Sequence, residues 1–203
     1  MKRIVTLFVI ITLTVSVLFA VSLIKDKISL SNEMVRLHVI AQSDSPEDQQ
    51  TKMLVKDAVL SYLQNNMPEG LNINGVRAYL TNNLKQLESA ANTVLLRCGR
   101  KEKASVSFSK EEYPTRHYDT FSLPSGVYES LRVVIGEGAG KNWWCVVFPA
   151  LCMGNTEQTY KDLAVSAGMS ETLVNTTVQK NGYEIRFFIL DCIGKVENFF
   201  HFR

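Results

Sequence analysis

Hydrophobic and polar residues change rhythm several times along this chain, and each change marks an element. The first is an uncharged run from Ile4 to Ile24, rich in Ile, Val, Leu and Phe and preceded by Lys2 and Arg3. As a helix rising ~1.5 Å per residue it is about 31 Å long, the thickness of a bilayer's hydrocarbon core. Two readings compete: a signal peptide cut after Ser22, with Ala20 and Ser22 as the small residues before the cut, or an uncleaved signal anchor. Either keeps the cations inside and exports the body. Residues 25–33 are polar and read as a stalk, which leaves 34–203 as a single exported domain.

From Met34 the pattern alternates. Val35, Leu37 and Val39 share one face and Arg36 and His38 the other, which predicts a half-buried strand. Ser45, Pro46, Glu47 and Asp48 then open a helix with a hydroxyl cap, a proline at the first helical position and acids against the dipole. That helix is expected to run to about Asn66, with Leu54, Ala58 and Tyr62 beside Val55 and Val59 on its apolar face. Val76, Leu80, Leu84, Leu87, Ala91 and Val94 predict a second helix over about 74–96, stopped at Cys98-Gly99 and packed antiparallel to the first. After Gly99 the period falls to two. Strands are expected over 103–110, 113–121, 128–135 and 143–148, joined as an antiparallel meander, with a tight turn at Leu123-Pro124-Ser125-Gly126. Short helices follow near 159–167 and 170–180. The apolar stretch 183–202 fits a strand, a helix or both. The fold class is α+β: two amphipathic helices packed on an antiparallel sheet, behind the N-terminal apolar helix.

Charge removes several function classes. The chain has 203 residues, with 22 Lys+Arg against 20 Asp+Glu. Lys2 and Arg3 supply the whole surplus, so the exported part is neutral. Nucleic-acid binding, which needs clustered excess cation, is not expected. The glycine-rich loop 136–142 matches neither a P-loop nor a dinucleotide fingerprint and precedes a strand, so it reads as a flexible hairpin loop. No cofactor or metal is expected, because Cys and His show no ligand spacing. Cys145 and Cys152, seven apart around Pro149, can close a small disulfide loop or sit as two buried thiols. An exported Cys–His hydrolase acting on cell wall would need Cys145 and one of His38, His117 or His201 to meet. Trp143 and Trp144 are adjacent on a strand, so one faces each side of the sheet. An exposed one would make a partner anchor.

Two stretches carry a family resemblance. The first is Arg36-Leu37-His38-Val39-Ile40-Ala41-Gln42-Ser43-Asp44-Ser45-Pro46-Glu47-Asp48-Gln49, followed by Lys52, Val55, Lys56 and Asp57. The second runs from Leu123-Pro124-Ser125-Gly126 and Tyr128 through Asn142-Trp143-Trp144-Cys145-Val146-Val147-Phe148-Pro149 to Leu151-Cys152. Together they resemble the stage II sporulation protein R family over about 36–152, departing at Gln42, where Asn is usual, and Ser125, where Ala is usual. The resemblance implies a role in endospore formation. It implies a protein exported from the forespore into the intermembrane space, which triggers a membrane-embedded aspartic protease of the mother cell. That protease would then process the precursor of an early mother-cell sigma factor. The protein itself would be the signal and not the protease, with no catalytic residues to carry over. Arg36, His38 and Asp44, with Trp143 or Trp144, are the candidate partner contacts.

Overall fold

Six consecutive residues, Val35–Ile40 (β1), are all buried, on both faces of the strand. That single fact reorganises the sheet expected from the sequence. In the computed structural model, which describes residues 1–152, 156–178 and 185–201, β1 is an inner strand of a four-stranded mixed sheet. The sheet order is β2-β5-β1-β6, with β2 at Ala104–Tyr113, β5 at Gly126–Ile135 and β6 at Asn142–Phe148. β1 runs parallel to β5, with Leu37 opposite Leu131 and Val39 opposite Val133. It runs antiparallel to β6, with Leu37 opposite Cys145. β2 pairs antiparallel with β5. The expected meander is therefore incorrect. β1 lies between β5 and β6, and its parallel pairing needs the long crossover that the helices supply. Arg116–His117 (β3) and Ser122–Leu123 (β4) form a separate two-stranded sheet.

The N-terminal helix α1 is continuous over Lys2–Asn32 and is long and apolar enough to cross a membrane. Residues 25–33, expected as a stalk, are mostly its last turns. Lys27 and Leu30 are buried there, and Leu23 one turn earlier, so the end of the helix keeps one residue per turn against the body. α2 spans Pro46–Asn66 and starts as its cap predicts: the Ser45 hydroxyl accepts from the Asp48 amide at 3.1 Å. Its inward stripe is Val55, Val59 and Leu63, while Leu54 is exposed, a rotation of about one residue from the expected face. The second expected helix is two, α3 (Ile73–Asn82) and α4 (Leu84–Arg97), divided at Asn83, whose backbone leaves helical geometry. α2 packs along α4. These three helices cover one sheet face through Leu37, Val39, Leu131, Val133 and Cys145.

The opposite face has its own core. Leu30, Met34, Tyr113, Tyr128 and Val146 meet Tyr160 of α5 (Glu157–Ser166) and Leu173 and Val174 of α6 (Glu171–Thr177). α7, Ile185–His201, packs on β5 and α1. It resolves the ambiguous terminal stretch as helix from 185; positions 183, 184 and 202 lie outside the described residues. Gly194 brings α7 so close that a Cβ there would stand 1.6 Å from the Ser125 carbonyl oxygen.

Candidate functional site

β1 determines what the second sheet face displays. Alternation sends Arg36 and His38 away from the helical layer, but that face is roofed, so neither is solvated as the sequence pattern suggested. Arg36 is completely buried. Its guanidinium carbon sits 3.9 Å from the Tyr113 ring centroid and 4.9 Å from that of Tyr128, and Nη2 donates to the Tyr118 hydroxyl at 3.1 Å. Aromatic faces thus take the place of a carboxylate, an arrangement that suits the weakly hydrated guanidinium.

His38 is one pleat further on. Its ring stacks on Trp144 at 3.7 Å between centroids, and Nδ1 lies 3.3 Å from Glu111 Oε2. Glu111 also meets Arg132 Nε at 3.2 Å, where Arg132 reaches solvent. Burial opposes the charge on Glu111, yet hydrogen bonds from His38 and Ser130 and the Arg132 charge hold its carboxyl below the usual range. Tyr113 packs edge-on against Trp144 at 4.6 Å, and the Arg116 guanidinium carbon lies 5.2 Å from the indole. The result is a graded patch: Arg36 at its floor, His38 and Glu111 in the middle, and half-buried Trp144 with Arg132 at the surface. Several polar atoms in it, Arg36 Nε and Nη1, His38 Nε2 and Trp144 Nε1, are buried without a hydrogen-bond partner. Such unsatisfied groups cost roughly 1–3 kcal/mol each. A cluster that breaks the rules of stable packing is where function is sought.

The remaining candidates fall elsewhere. Trp143 points to the helical layer, where Lys56 Nζ lies 4.9 Å from its ring. Asp44 is exposed beyond the end of β1, and its carboxylate accepts from the Lys141 amide at 2.7 Å. It does not pair with Arg36. That bond belongs to a set joining the glycine-rich loop to the end of β1: Gly140 donates to the Ala41 carbonyl at 2.9 Å and Ala139 to that of Gln42 at 3.2 Å. The loop is therefore no hairpin. It crosses over β1 to carry the chain from β5 to β6. A Cβ at Gly140 would stand 2.2 Å from the Ser43 carbonyl oxygen, so glycine is needed there.

Cys145 and Cys152 are joined as a disulfide, with Cα atoms 5.5 Å apart; the buried-thiol alternative is not what the chain adopts. Cys145 faces the helical layer and His38 the opposite side of the sheet, so this pair does not assemble a Cys–His couple. His117 bonds Ser122, and the side chain of His201 lies outside what is described. Among the described residues no group of His, Cys, Asp and Glu is placed to hold a metal ion. Sequence reasoning missed Glu111, Arg132, Arg116 and Tyr118: pairing among β1, β5 and β2 brings Glu111 and Arg132 to the site, and the segment after β2 carries Arg116 and Tyr118 there, neither announced by a local signal.

These features define an α+β body with a mixed sheet, carried on a membrane-length N-terminal helix and displaying an aromatic and cationic patch on one sheet face. The model of the stage II sporulation protein R family matches residues 31–158, and the chain belongs to that family. It is similar to the stage II sporulation protein R of Bacillus subtilis (strain 168), with 28% identity over 183 residues, 81% of this chain and 82% of that protein. No solved structure matches it. Membership assigns the chain a role in sporulation.

Proposed function

We propose that this chain is a sporulation signal exported across the forespore membrane, which activates a membrane-embedded aspartic protease of the mother cell. The protease then removes the pro-sequence of an early mother-cell sigma factor. The observation that carries this reading is the family match over 31–158. An N-terminal helix able to enter a bilayer and a disulfide of the kind that persists in oxidising compartments support it. The signal acts by binding the protease's competent state better than its idle one. A shift from about 1% to 99% active needs about 5.5 kcal/mol of differential binding. A patch anchored by Trp144 and rimmed by Arg132 has the composition of interface hot spots, which are rich in Trp and Arg. His38, stacked on Trp144, holds that anchor in place, and Asp44 at the end of β1 is a separate proposed contact.

The experiment is deletion of the gene with immunoblotting for the sigma-factor precursor during sporulation. The expected result is accumulation of uncut precursor, restored by the full chain and not by a version lacking residues 4–24. Normal processing in the deletion strain overturns the proposal. Restored processing by the truncated chain overturns the export step.

A further inference from the structure

α7 has an unusual composition on the side turned away from the body. Its inward side is fixed by Leu190, Asp191 and Gly194, all buried. Asp191 accepts from the Ser125 amide at 2.8 Å. On the opposite side Cys192, Val196 and Phe200 recur at spacings of four, flanked by Phe188 and Phe199. Val196 is 57% and Phe200 66% exposed. Among the described side chains of this face, charge appears at the margins, at Lys195 and Glu197. A surface helix of a soluble protein turns its polar face outward; this one turns an apolar face outward.

The position of that face identifies what meets it. Lys27 Nζ lies 3.4 Å from Glu197 Oε2, so Val196 and Phe200 are within a turn of the point where α1 meets α7. The uncharged run of α1 ends at Ile24, about 4.5 Å along the axis from Lys27. Ile24 and Ile28 are themselves exposed beside it. Where α1 enters a bilayer, the lipid surface is therefore at the level of the α7 stripe. Phenylalanines within a turn of the membrane boundary, with a lysine at the margin, are the composition of a helix lying in the headgroup region. We propose that the outer face of α7 is a second membrane contact, resting on the lipid surface beside α1 and fixing the orientation of the body against the bilayer. This rests on the reading of α1 as a bilayer helix.

The test uses the full chain with Cys98→Ser and Cys192→Ala and its disulfide intact. Single cysteines at Val196→Cys, Phe200→Cys, Leu13→Cys and Gln50→Cys carry an environment-sensitive fluorophore. The chain is reconstituted in phosphatidylglycerol–phosphatidylethanolamine vesicles with or without lipid-borne quencher. Position 13 reports α1 insertion independently, and exposed position 50 on α2 is the aqueous reference. Quenching at 196 and 200 of at least about half that at 13 is expected, with none at 50. Quenching at 196 and 200 without quenching at 13 keeps the α7 contact and removes the α1 anchor. Positions 196 and 200 no more quenched than 50 overturn the proposal. So does a blue-shifted but unquenched signal there, which would mean a protein covers the stripe.

Discussion

Replacing Arg36 distinguishes a buried support from a surface contact. The guanidinium stacks on two tyrosine rings, and cation–π contacts are worth about 2 kcal/mol each when desolvated. Its hydrogen bond to Tyr118 adds about 1.5 kcal/mol, and the two buried methylenes that alanine lacks about 0.8 kcal/mol each. Truncation also releases the charge from a dry site, which returns several kcal/mol. Arg36→Ala is therefore expected to cost about 2–4 kcal/mol net. For a body of this size, at about 3 °C per kcal/mol, that lowers Tm by about 6–12 °C. Arg36→Met keeps the stem and sheds the charge, so it is expected to stay within about 1 kcal/mol of the native protein. Arg132→Ala removes a largely exposed partner of Glu111 and is expected to cost under about 1 kcal/mol. The assay is thermal melting of each reconstituted variant beside precursor processing in sporulating cells. Arg36→Ala should lose both together, and Arg132→Ala should lose processing alone. A melt for Arg36→Ala within 2 °C of native refutes the burial argument, and full processing with Arg132→Ala removes the patch as the contact.

Three further outcomes follow from other parts of the fold. Replacing Cys145 and Cys152 together by Ala opens a short loop and is expected to cost about 2.5 kcal/mol, read as a lower urea midpoint that reductant reproduces in the native chain. Asp191, although burial opposes its charge, is held at about 2 against an ordinary 3.8 by Lys195, Ser125 and Thr115. Its contribution of about 2 kcal/mol is present above pH ~4 and lost as the pH falls towards 2, so Asp191→Asn should flatten the acid limb of the stability curve. Gly140→Ala forces a Cβ against the Ser43 carbonyl and should destabilise by more than about 1 kcal/mol, whereas Ala at open Gly99, whose positive φ of 67° alone resists it, should cost about 1; equal melts for the two would deny the close crossing over β1.

The strand at Val35–Ile40 shows how far the sequence reaches and where it stops. Its alternation located it, and the same alternation assigned Arg36 and His38 to one face. That assignment holds, because side-chain period is a local property of extended backbone. Whether the face is wet is a different kind of fact. It depends on Tyr113, Tyr128 and Trp144, which are 77 or more positions from Arg36 and arrive only through pairing of β1 with β5 and β6 and of β5 with β2. An arginine on a strand ordinarily means solvent, since an unpaired buried charge is costly. Here three tyrosines offset that cost, two by their ring faces and Tyr118 by its hydroxyl, and nothing near residue 36 announces them. The helix cap at Ser45 was legible because its partner is three residues away. The break at Asn83 was not, because the apolar spacing runs straight through it. The same limit separates the two tryptophans. Adjacency dictated opposite faces, but only the sheet order decides that Trp143 enters the helical core while Trp144 covers His38 and reaches the surface. His38 stacks against the indole from within the sheet and leaves Trp144 half-buried at the margin of its layer, so a strand located by local alternation supports a residue that only the long-range pairing places there.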